Sequence, residues 1–208
     1  MLTTAEVCEW AGYVADDFKF NAFPSGARVL DVGFGRGEQM RALAASGCRS
    51  VGIDVSPELV SGARKGGWCV CRAAAEHLPF LDGAFDGLIC KVVIPYTIEA
   101  TVISEIGRVL RKGGIARVSY HGLGYSLRYL LTDRNWKRRV YGARVVVNTW
   151  LYSITGSRLP GFLGDTLYQS ERRLRSYYKH AGLELVGAHP SARFFGACVF
   201  IYHTLRKI

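Results

Sequence analysis

The sequence predicts an α/β fold built on a doubly wound sheet, and three observations support this prediction. Short apolar runs alternate with helical patterns between residues 27 and 121, as expected of buried parallel strands joined by helices. A glycine-rich loop separates the first strand from the first helix, and acids mark the first two strands. The 208 residues, 49% of them hydrophobic, suffice for one domain with a full core over residues 1–208.

The loop after the first strand is the segment around which the chain is organised. The loop contains Gly33, Phe34, Gly35 and Gly37. Glycine tolerates positive φ and lacks a Cβ, so this backbone can turn sharply and lie against a ligand. Residues 38–45 are rich in helix formers and end before Gly47, so a helix N-terminus faces the same ligand.

Asp31 indicates which ligand the loop accepts. Loops that bind a dinucleotide pyrophosphate usually read G-x-G-x-x-G, whereas this loop reads G-x-G-x-G with Asp31 two residues before it. An acid there repels a pyrophosphate and suits a ligand with a cationic end, such as an amino-acid ammonium. The alternative is a glycine-rich turn with an incidental acid.

Asp54 ends the second predicted strand, residues 49–54. It lies 54 − 37 = 17 residues after Gly37, which is one helix and one strand away. The spacing therefore returns its carboxylate beside the glycine loop, where it can accept both hydroxyls of a ribose. Ser56 as N-cap and Pro57 in the first turn start the next helix.

Four segments together resemble the class I S-adenosylmethionine (SAM) dependent methyltransferases. They are motif I at residues 31–37, D-V-S-P-E-L at 54–59, the segment 73–86 with its E-x-L-P-F run, and R-V-L-R-K-G-G at 108–114. The resemblance implies a Rossmann-like, mostly parallel sheet with an antiparallel last strand, and S-adenosyl-L-methionine as cofactor. It also implies a helix over the cofactor ahead of the first strand, in residues 1–24, with Tyr13 as a lid contact; simple packing on the sheet is the alternative.

The resemblance also assigns the adenine side of the cofactor. Val55 is implied to lie against the adenine, and backbone groups of Ala75 and Glu76 to read its edge. The family usually carries Asp where this chain has Ala74, so one adenine contact is missing. The complete set of candidate cofactor residues is Asp31, Gly33, Phe34, Gly35, Gly37, Asp54, Val55, Ala75, Glu76 and Lys91.

Lys91 lies near the carboxyl end of the apolar fourth strand, which we predict at residues 85–93. A charge there sits in the ligand cleft rather than in the core; the alternative is a side chain that extends to solvent. The other predicted elements are a strand at 68–72, a helix at 97–110 capped by Gly113 or Gly114, a strand at 115–121, a helix at 170–181, and strands at 183–188 and 197–205.

Residues 122–168 have no counterpart in a minimal methyltransferase core and are predicted to be a helical insertion after the fifth strand. Between residues 122 and 180 there are eleven Lys/Arg and three Asp/Glu. One helical face carries Val140, Ala143, Val147, Trp150, Leu151 and Ile154. Two interpretations remain open: a substrate cap with an anion-facing side, or an amphipathic helix packed on the core with a solvated basic face.

Methyl transfer to a hydroxyl or ammonium requires a group that removes a proton, and requires no metal. His121, at the end of the fifth strand, and Asp165 and Tyr168 in the insertion are the candidate bases. Each has an alternative without chemistry: His121 can be a turn residue, for example, and Asp165 a helix cap.

The net charge of +10 and the pI of about 9.5 favour an anionic partner, whether nucleic acid, lipid headgroups or a phosphorylated substrate. A peripheral membrane contact of the basic helix is one such option. The six cysteines include no C-x-x-C pair, and Cys69 and Cys71 would share one face of a strand as buried thiols. No signal peptide or spanning helix is evident, which fits a cytoplasmic protein.

Three functions compete. The favoured one is a SAM-dependent methyltransferase acting on oxygen or nitrogen of a small-molecule, glycan or lipid-linked acceptor, because the insertion is aromatic and short. An RNA methyltransferase is suggested by the charge, but the sequence has no recognisable RNA-methylase motif. A SAM-binding protein without catalysis is the third, and the Ala74 departure supports it.

Overall fold

The computed structural model describes residues 18–159, 161, 164–189 and 191–208. Its main sheet has seven strands in the order β3-β2-β1-β4-β5-β9-β6. The strands are β1 (Arg28–Val32), β2 (Arg49–Asp54), β3 (Val70–Arg72), β4 (Phe85–Lys91), β5 (Leu110–His121), β6 (Leu183–His189) and β9 (Phe200–Lys207), and a separate hairpin consists of β7 (Arg193–Phe194) and β8 (Ala197–Cys198).

The pairing confirms the predicted doubly wound sheet. Strands β1 to β5 pair in parallel, whereas β9 is antiparallel to both β5 and β6. The chain leaves β1 towards β2 and β3, and later crosses to β4 on the other side of β1. This reversal opens a crevice at the carboxyl ends of β1 and β4, the usual ligand site of such sheets.

Helices cover the sheet and supply the insertion. They are α1 (Glu38–Ala45), α2 (Pro57–Lys65), α3 (Glu99–Val109), α4 (Leu123–Thr132), α5 (Trp136–Thr155) and α6 (Glu171–His180). Helix α2 starts as predicted, because the Ser56 hydroxyl accepts from the Leu59 N–H at 3.2 Å and Pro57 occupies the first turn. None of the helices in the described residues is sufficiently long and apolar to cross a bilayer.

The core lies on both faces of the sheet. Leu30, Leu88 and Val118 on the strands are fully buried and belong to one apolar cluster with Ile106 of α3. A second cluster contains Val29 with Phe18 and its neighbours. Burying one large apolar side chain stabilises a fold by about 1.5–3 kcal/mol, so these clusters hold the strand ends in fixed positions.

The predicted glycine C-cap of α3 is wrong. The helix ends at Val109, and Leu110 is already extended, with ψ 132° and a buried side chain. Leu110 pairs with Phe85, so sheet pairing overrides the local glycine signal. Gly113, with φ 78°, instead lies where the register shifts between the two strands.

Several predicted boundaries also move. The third strand begins at Val70 rather than residue 68, β4 ends at Lys91 rather than 93, and α3 begins at Glu99 rather than 97. The last shift occurs because Ile94–Tyr96 form a turn of 3-10 helix first. The last strand begins at Phe200 rather than residue 197, since residues 197–198 pair within the small hairpin.

The insertion is helical, as predicted, but its apolar face points outward. Val140, Val147, Trp150 and Ile154 of α5 are exposed, so the interpretation that packs this face on the core is wrong. Helices α4 and α5 approach closely at Gly142, where a Cβ would lie 2.6 Å from the Ser126 carbonyl oxygen. The predicted lid, including Tyr13, lies outside the described residues except for residues 18–24, which form no helix.

Candidate active site

The loop between β1 and α1 folds back onto the end of β2. The N–H groups of Gly33 and Phe34 both donate to the Ile53 carbonyl, at 2.8 and 3.1 Å. Gly33 has φ 71°, and a Cβ there would collide with the Val93 side chain. Glycine is therefore required at this position by both conformation and space.

Asp54 lies beside this loop, as the spacing predicts. Its Oδ2 accepts from the Gly35 N–H at 3.1 Å, and its Oδ1 accepts from the Ser56 N–H at 3.0 Å. An ionised carboxylate has about four acceptor sites, so each oxygen retains capacity for another donor. A ligand with two neighbouring hydroxyls matches that capacity.

Asp31 is a buried carboxyl group with an unsatisfied oxygen. Its side chain is on β1, the residue is 2% exposed, and Oδ2 has no hydrogen-bond partner among the described residues. Burial raises its pKa to about 7, although the Lys91 charge acts in the opposite direction. A buried acid without a donor is costly, so this oxygen fits a cationic ligand group.

Lys91 extends from the end of β4 into the same region. Its Nζ lies 3.3 Å from Oε2 of Glu38 in the first turn of α1 and 5.7 Å from the centroid of the Phe20 ring. The side chain lines the cleft, which supports the cleft interpretation of Lys91.

The cleft has a volume of about 500 Å³ at the carboxyl ends of the central strands. It brings together six of the ten candidate cofactor residues: Gly33, Asp54, Val55, Ala75, Glu76 and Lys91. The other lining residues are Val32, Ile53, Ala73, Val92, Val93, Tyr96 and Thr97. Apolar walls with acids at two points fit a ligand that has a flat apolar part, hydroxyls and a positive charge.

Phe34 does not present its side chain to this cleft. The ring is buried against Met40, Val60 and Val70 behind the loop, in an apolar cluster of its own. Gly35 and Gly37 line a neighbouring cavity of about 300 Å³ on that side. Only the backbone of this part of the loop remains available as a ligand contact.

The sequence did not identify Val92 and Tyr96 as part of the cleft. Val92 has φ 57°, which is rare for a β-branched residue, and its N–H donates to the Ser119 carbonyl at 3.0 Å. Such strain costs of the order of 1–3 kcal/mol and concentrates at functional sites. Tyr96 ends the turn of 3-10 helix that begins at Ile94, and Pro95 in that turn is the local signal for it.

His121 is not a turn residue. It is buried at the end of β5 and stacks on Tyr125, with ring centroids 3.8 Å apart and an angle of 7° between the planes. Burial lowers its pKa to about 3, so the imidazole is neutral at physiological pH. Its Nδ1 has no hydrogen-bond partner within the described chain, and its ring meets the edge of Tyr96 at 6.1 Å.

Asp165 and Tyr168 lie in the last part of the insertion, between α5 and α6. Asp165 forms an ion pair with Arg144 at 2.9 Å and does not cap α6, whose N-cap is Ser170. The Tyr168 N–H donates to the Thr149 hydroxyl at 3.0 Å. Neither residue is among the described residues that line the cleft, so their role as bases stays a prediction.

Comparison with known proteins gives one family match. The sequence profile of a family described as a methyltransferase domain matches residues 30–118. These residues run from β1 into β5 and contain every candidate cofactor residue.

Two curated relatives are similar to parts of the chain. The 24-methylenesterol C-methyltransferase 2 of Oryza sativa subsp. japonica is 40% identical over 119 residues, 49% of this chain and 31% of that protein. A ubiquinone biosynthesis O-methyltransferase of Xylella fastidiosa is 33% identical over 103 residues, 46% of this chain and 42% of that protein. The chain therefore spans less than half the length of either relative.

One solved structure shows the same fold with a ligand. It is the Burkholderia thailandensis 1,6-didemethyltoxoflavin-N1-methyltransferase with bound 1,6-didemethyltoxoflavin and S-adenosylhomocysteine. The TM-score is 0.56 at 19% identity, and the superposition covers 88% of this chain and 72% of that chain.

Proposed function

Because residues 30–118 match the sequence profile of a methyltransferase domain, we propose that this chain is a class I SAM-dependent methyltransferase and transfers the methyl group of SAM to a small-molecule or lipid-linked acceptor. The observation that carries the proposal is the unsatisfied, buried Oδ2 of Asp31 next to the glycine loop and Asp54. A dinucleotide would place negative phosphates there, whereas SAM brings an ammonium and a ribose.

Each part of SAM has a candidate contact among the residues at the site. Asp54 would accept the ribose hydroxyls, Val55 would contact the adenine, and the backbone of Ala75 and Glu76 would meet the adenine edge. Asp31 would hold the ammonium of the methionine part. When bound, SAM supplies a methyl group on a sulfonium, which needs no activation by the protein.

The chain contributes binding, orientation and exclusion of water. Tyr96 and Thr97 line the acceptor end of the cleft in this proposal, and the rings of His121 and Tyr125 lie behind Tyr96. A neutral imidazole can accept a proton from a hydroxyl or ammonium acceptor, but its lowered pKa makes it a weak base. His121 does not line the cleft but its ring contacts that of Tyr96, which does, so we favour it as the base; Asp165 is less suited because it forms an ion pair with Arg144.

The class of acceptor is proposed from the relatives and the insertion. The two curated relatives have names that refer to a sterol and to ubiquinone biosynthesis, one a C- and one an O-methyltransferase. The aromatic rings of Tyr125, Tyr129 and Tyr141 in the insertion form a connected group beyond His121. A flat or isoprenoid-bearing acceptor would match such a surface, with transfer to oxygen or nitrogen.

An RNA methyltransferase is the second candidate, because the net charge is +10. The test is release of S-adenosylhomocysteine from SAM with a panel of phenols, sterols, quinols and amines, compared with total RNA. We expect turnover with at least one small acceptor and none with RNA. Turnover with RNA alone would replace the proposal, and SAM binding without turnover on any acceptor would favour the non-catalytic alternative.

A further inference from the structure

The outward face of α5 carries a stripe of large apolar side chains. It consists of Trp136, Val140, Val147, Trp150 and Ile154, each between 52% and 68% exposed. At 3.6 residues per turn these positions fall within an arc of about 80°, and the helix is about 30 Å long. An exposed apolar stripe of this length on one helix is characteristic of an interaction surface.

The inward face of the same helix is less apolar than the outward face. Its buried residues are Gly142, Val145, Asn148 and Thr149. The Thr149 hydroxyl donates to the Val145 carbonyl at 2.8 Å and accepts from the Tyr168 N–H at 3.0 Å. These contacts fix the rotation of α5, so the helix cannot turn its tryptophans into the core.

The charged residues of the segment that carries the stripe are all basic. Residues 134–164 contain six Lys/Arg and no Asp/Glu. Arg134, Lys137 and Arg139 are exposed around Trp136, and the Lys137 Nζ lies 6.0 Å from the centroid of the Trp136 ring. The surface therefore combines tryptophans, branched aliphatic side chains and a cationic border.

We infer that this surface, Trp136 to Ile154 with its cationic border, docks on an anionic lipid bilayer, with α5 parallel to the membrane plane. Tryptophan prefers the headgroup level, aliphatic side chains enter the acyl boundary, and Lys/Arg attract anionic headgroups. A nucleic acid would satisfy the cations but would leave Val140, Val147 and Ile154 without a favourable contact.

The docking surface is connected to the cleft. The Arg158 guanidinium, just beyond the end of α5, donates to the carbonyl of Thr97, which lines the cleft. The ion pair of Arg144 with Asp165 joins α5 to the last part of the insertion, ahead of α6. Docking thus places the cleft near the bilayer, where a lipid-linked acceptor resides; this last step rests on the proposed function, whereas the docking itself does not.

The test is co-sedimentation of the chain, without SAM, with vesicles of equal parts phosphatidylcholine and phosphatidylserine and with pure phosphatidylcholine vesicles. We expect stronger binding to the anionic vesicles. The variant Trp150→Ser/Ile154→Ser is expected to bind them on the order of tenfold less. The variant Arg134→Gln/Lys137→Gln should lose roughly fivefold per charge on the anionic vesicles alone.

Matched controls replace equivalent groups elsewhere on the surface. Leu81→Ser/Phe195→Ser removes two exposed apolar side chains, and Lys65→Gln/Lys112→Gln removes two exposed cations; both should bind as the parent does. The inference is overturned if the parent chain binds neither vesicle, or if the controls lose as much as the α5 variants. It is also overturned if ultracentrifugation shows a dimer that Trp150→Ser/Ile154→Ser dissociates while vesicles are not bound. Binding of an RNA oligonucleotide without vesicle binding would overturn it as well.

Discussion

Acidic residues at the cleft and in the helical insertion differ in whether a basic side chain pairs with them. Asp31 is not among the residues that line the cleft, and one of its oxygens has no partner within the described residues; Asp54, which lines the cleft, accepts hydrogen bonds from two backbone N–H groups. In the insertion, Asp133 pairs with Arg138 at 3.5 Å and Asp165 with Arg144 at 2.9 Å.

This difference separates ligand-binding charge from structural charge. The carboxylates of Asp31 and Asp54 retain acceptor capacity that a ligand with a cation and hydroxyls would use. Arg134 and Lys137 of the insertion are exposed and can face an anionic surface. Substitutions can test both the structural role of paired acids and the ligand-binding role of the acids at the cleft; the largest effect is expected from a buried ion pair.

The buried ion pair between Glu99 of α3 and Arg173 of α6 is the first target. Glu99 is 2% exposed and accepts from Arg173 at 2.8 and 2.9 Å and from Gln169 at 2.8 Å. Glu99→Ala would leave a partly buried guanidinium without its partner, so we expect a loss of about 3–5 kcal/mol in the free energy of unfolding, measured with urea. Glu184→Ala, which breaks an exposed pair, should cost less than about 1 kcal/mol. Equal losses in the two variants would show that the buried pair is not a structural anchor.

The variant Asp54→Ala tests whether the acids at the cleft bind the ligand. Removing a charged acceptor of ligand hydroxyls costs about 1.5–3 kcal/mol, so Asp54→Ala should weaken SAM binding roughly ten- to hundredfold in calorimetry. Glu184→Ala again serves as the control and should bind as the parent does. Unchanged affinity of Asp54→Ala would remove the ribose assignment.

The raised pKa of Asp31 predicts that the affinity for SAM depends on pH. Its pKa is raised to about 7 in the free protein, so the carboxyl group is largely protonated at lower pH. The ammonium of SAM binds the ionised carboxylate of Asp31, so a protonated Asp31 must lose its proton before SAM binds. SAM affinity should therefore fall about tenfold per pH unit below pH 7 and level off above it. Asp31→Asn should bind weakly and without this dependence; the same slope in Asp31→Asn would assign the proton to another group.

His121 is expected to give a smaller effect. Because its lowered pKa makes it a weak base, His121→Phe should reduce turnover on the order of tenfold while leaving SAM affinity unchanged. Phenylalanine retains a flat ring against Tyr125, so the variant changes the proton acceptor more than the packing. Turnover equal to that of the parent would eliminate His121 as the base.

The positions of Gly33 and Asp54 were predictable from the sequence, since parallel strands bring their carboxyl ends to one edge and glycine marks the turn. The contacts of Asp31 and Asp54 with a cofactor stay predictions. Val92 and Tyr96 were missed, because the strained turn depends on contacts with Ser119 and other residues distant in sequence. Leu110 illustrates the same limit: a glycine signal was overridden by pairing with Phe85.

The sequence was sufficient to predict that the insertion is helical, but not whether its apolar face points towards the core. Its apolar periodicity is the same whether the stripe faces the core or the surroundings. Gly142 and Thr149 decide the orientation, because a glycine allows α4 to approach and a threonine hydroxyl ties α5 to Tyr168. A hydrophobicity pattern cannot show that a glycine or a threonine fixes the orientation of a helix.

A crystal structure with S-adenosylhomocysteine tests the central claim most directly. We predict the ribose hydroxyls within hydrogen-bond distance of the Asp54 carboxylate, the adenine against Val55, and the ammonium facing Oδ2 of Asp31. A ligand bound outside this cleft, or an ammonium directed away from Asp31, would contradict the account.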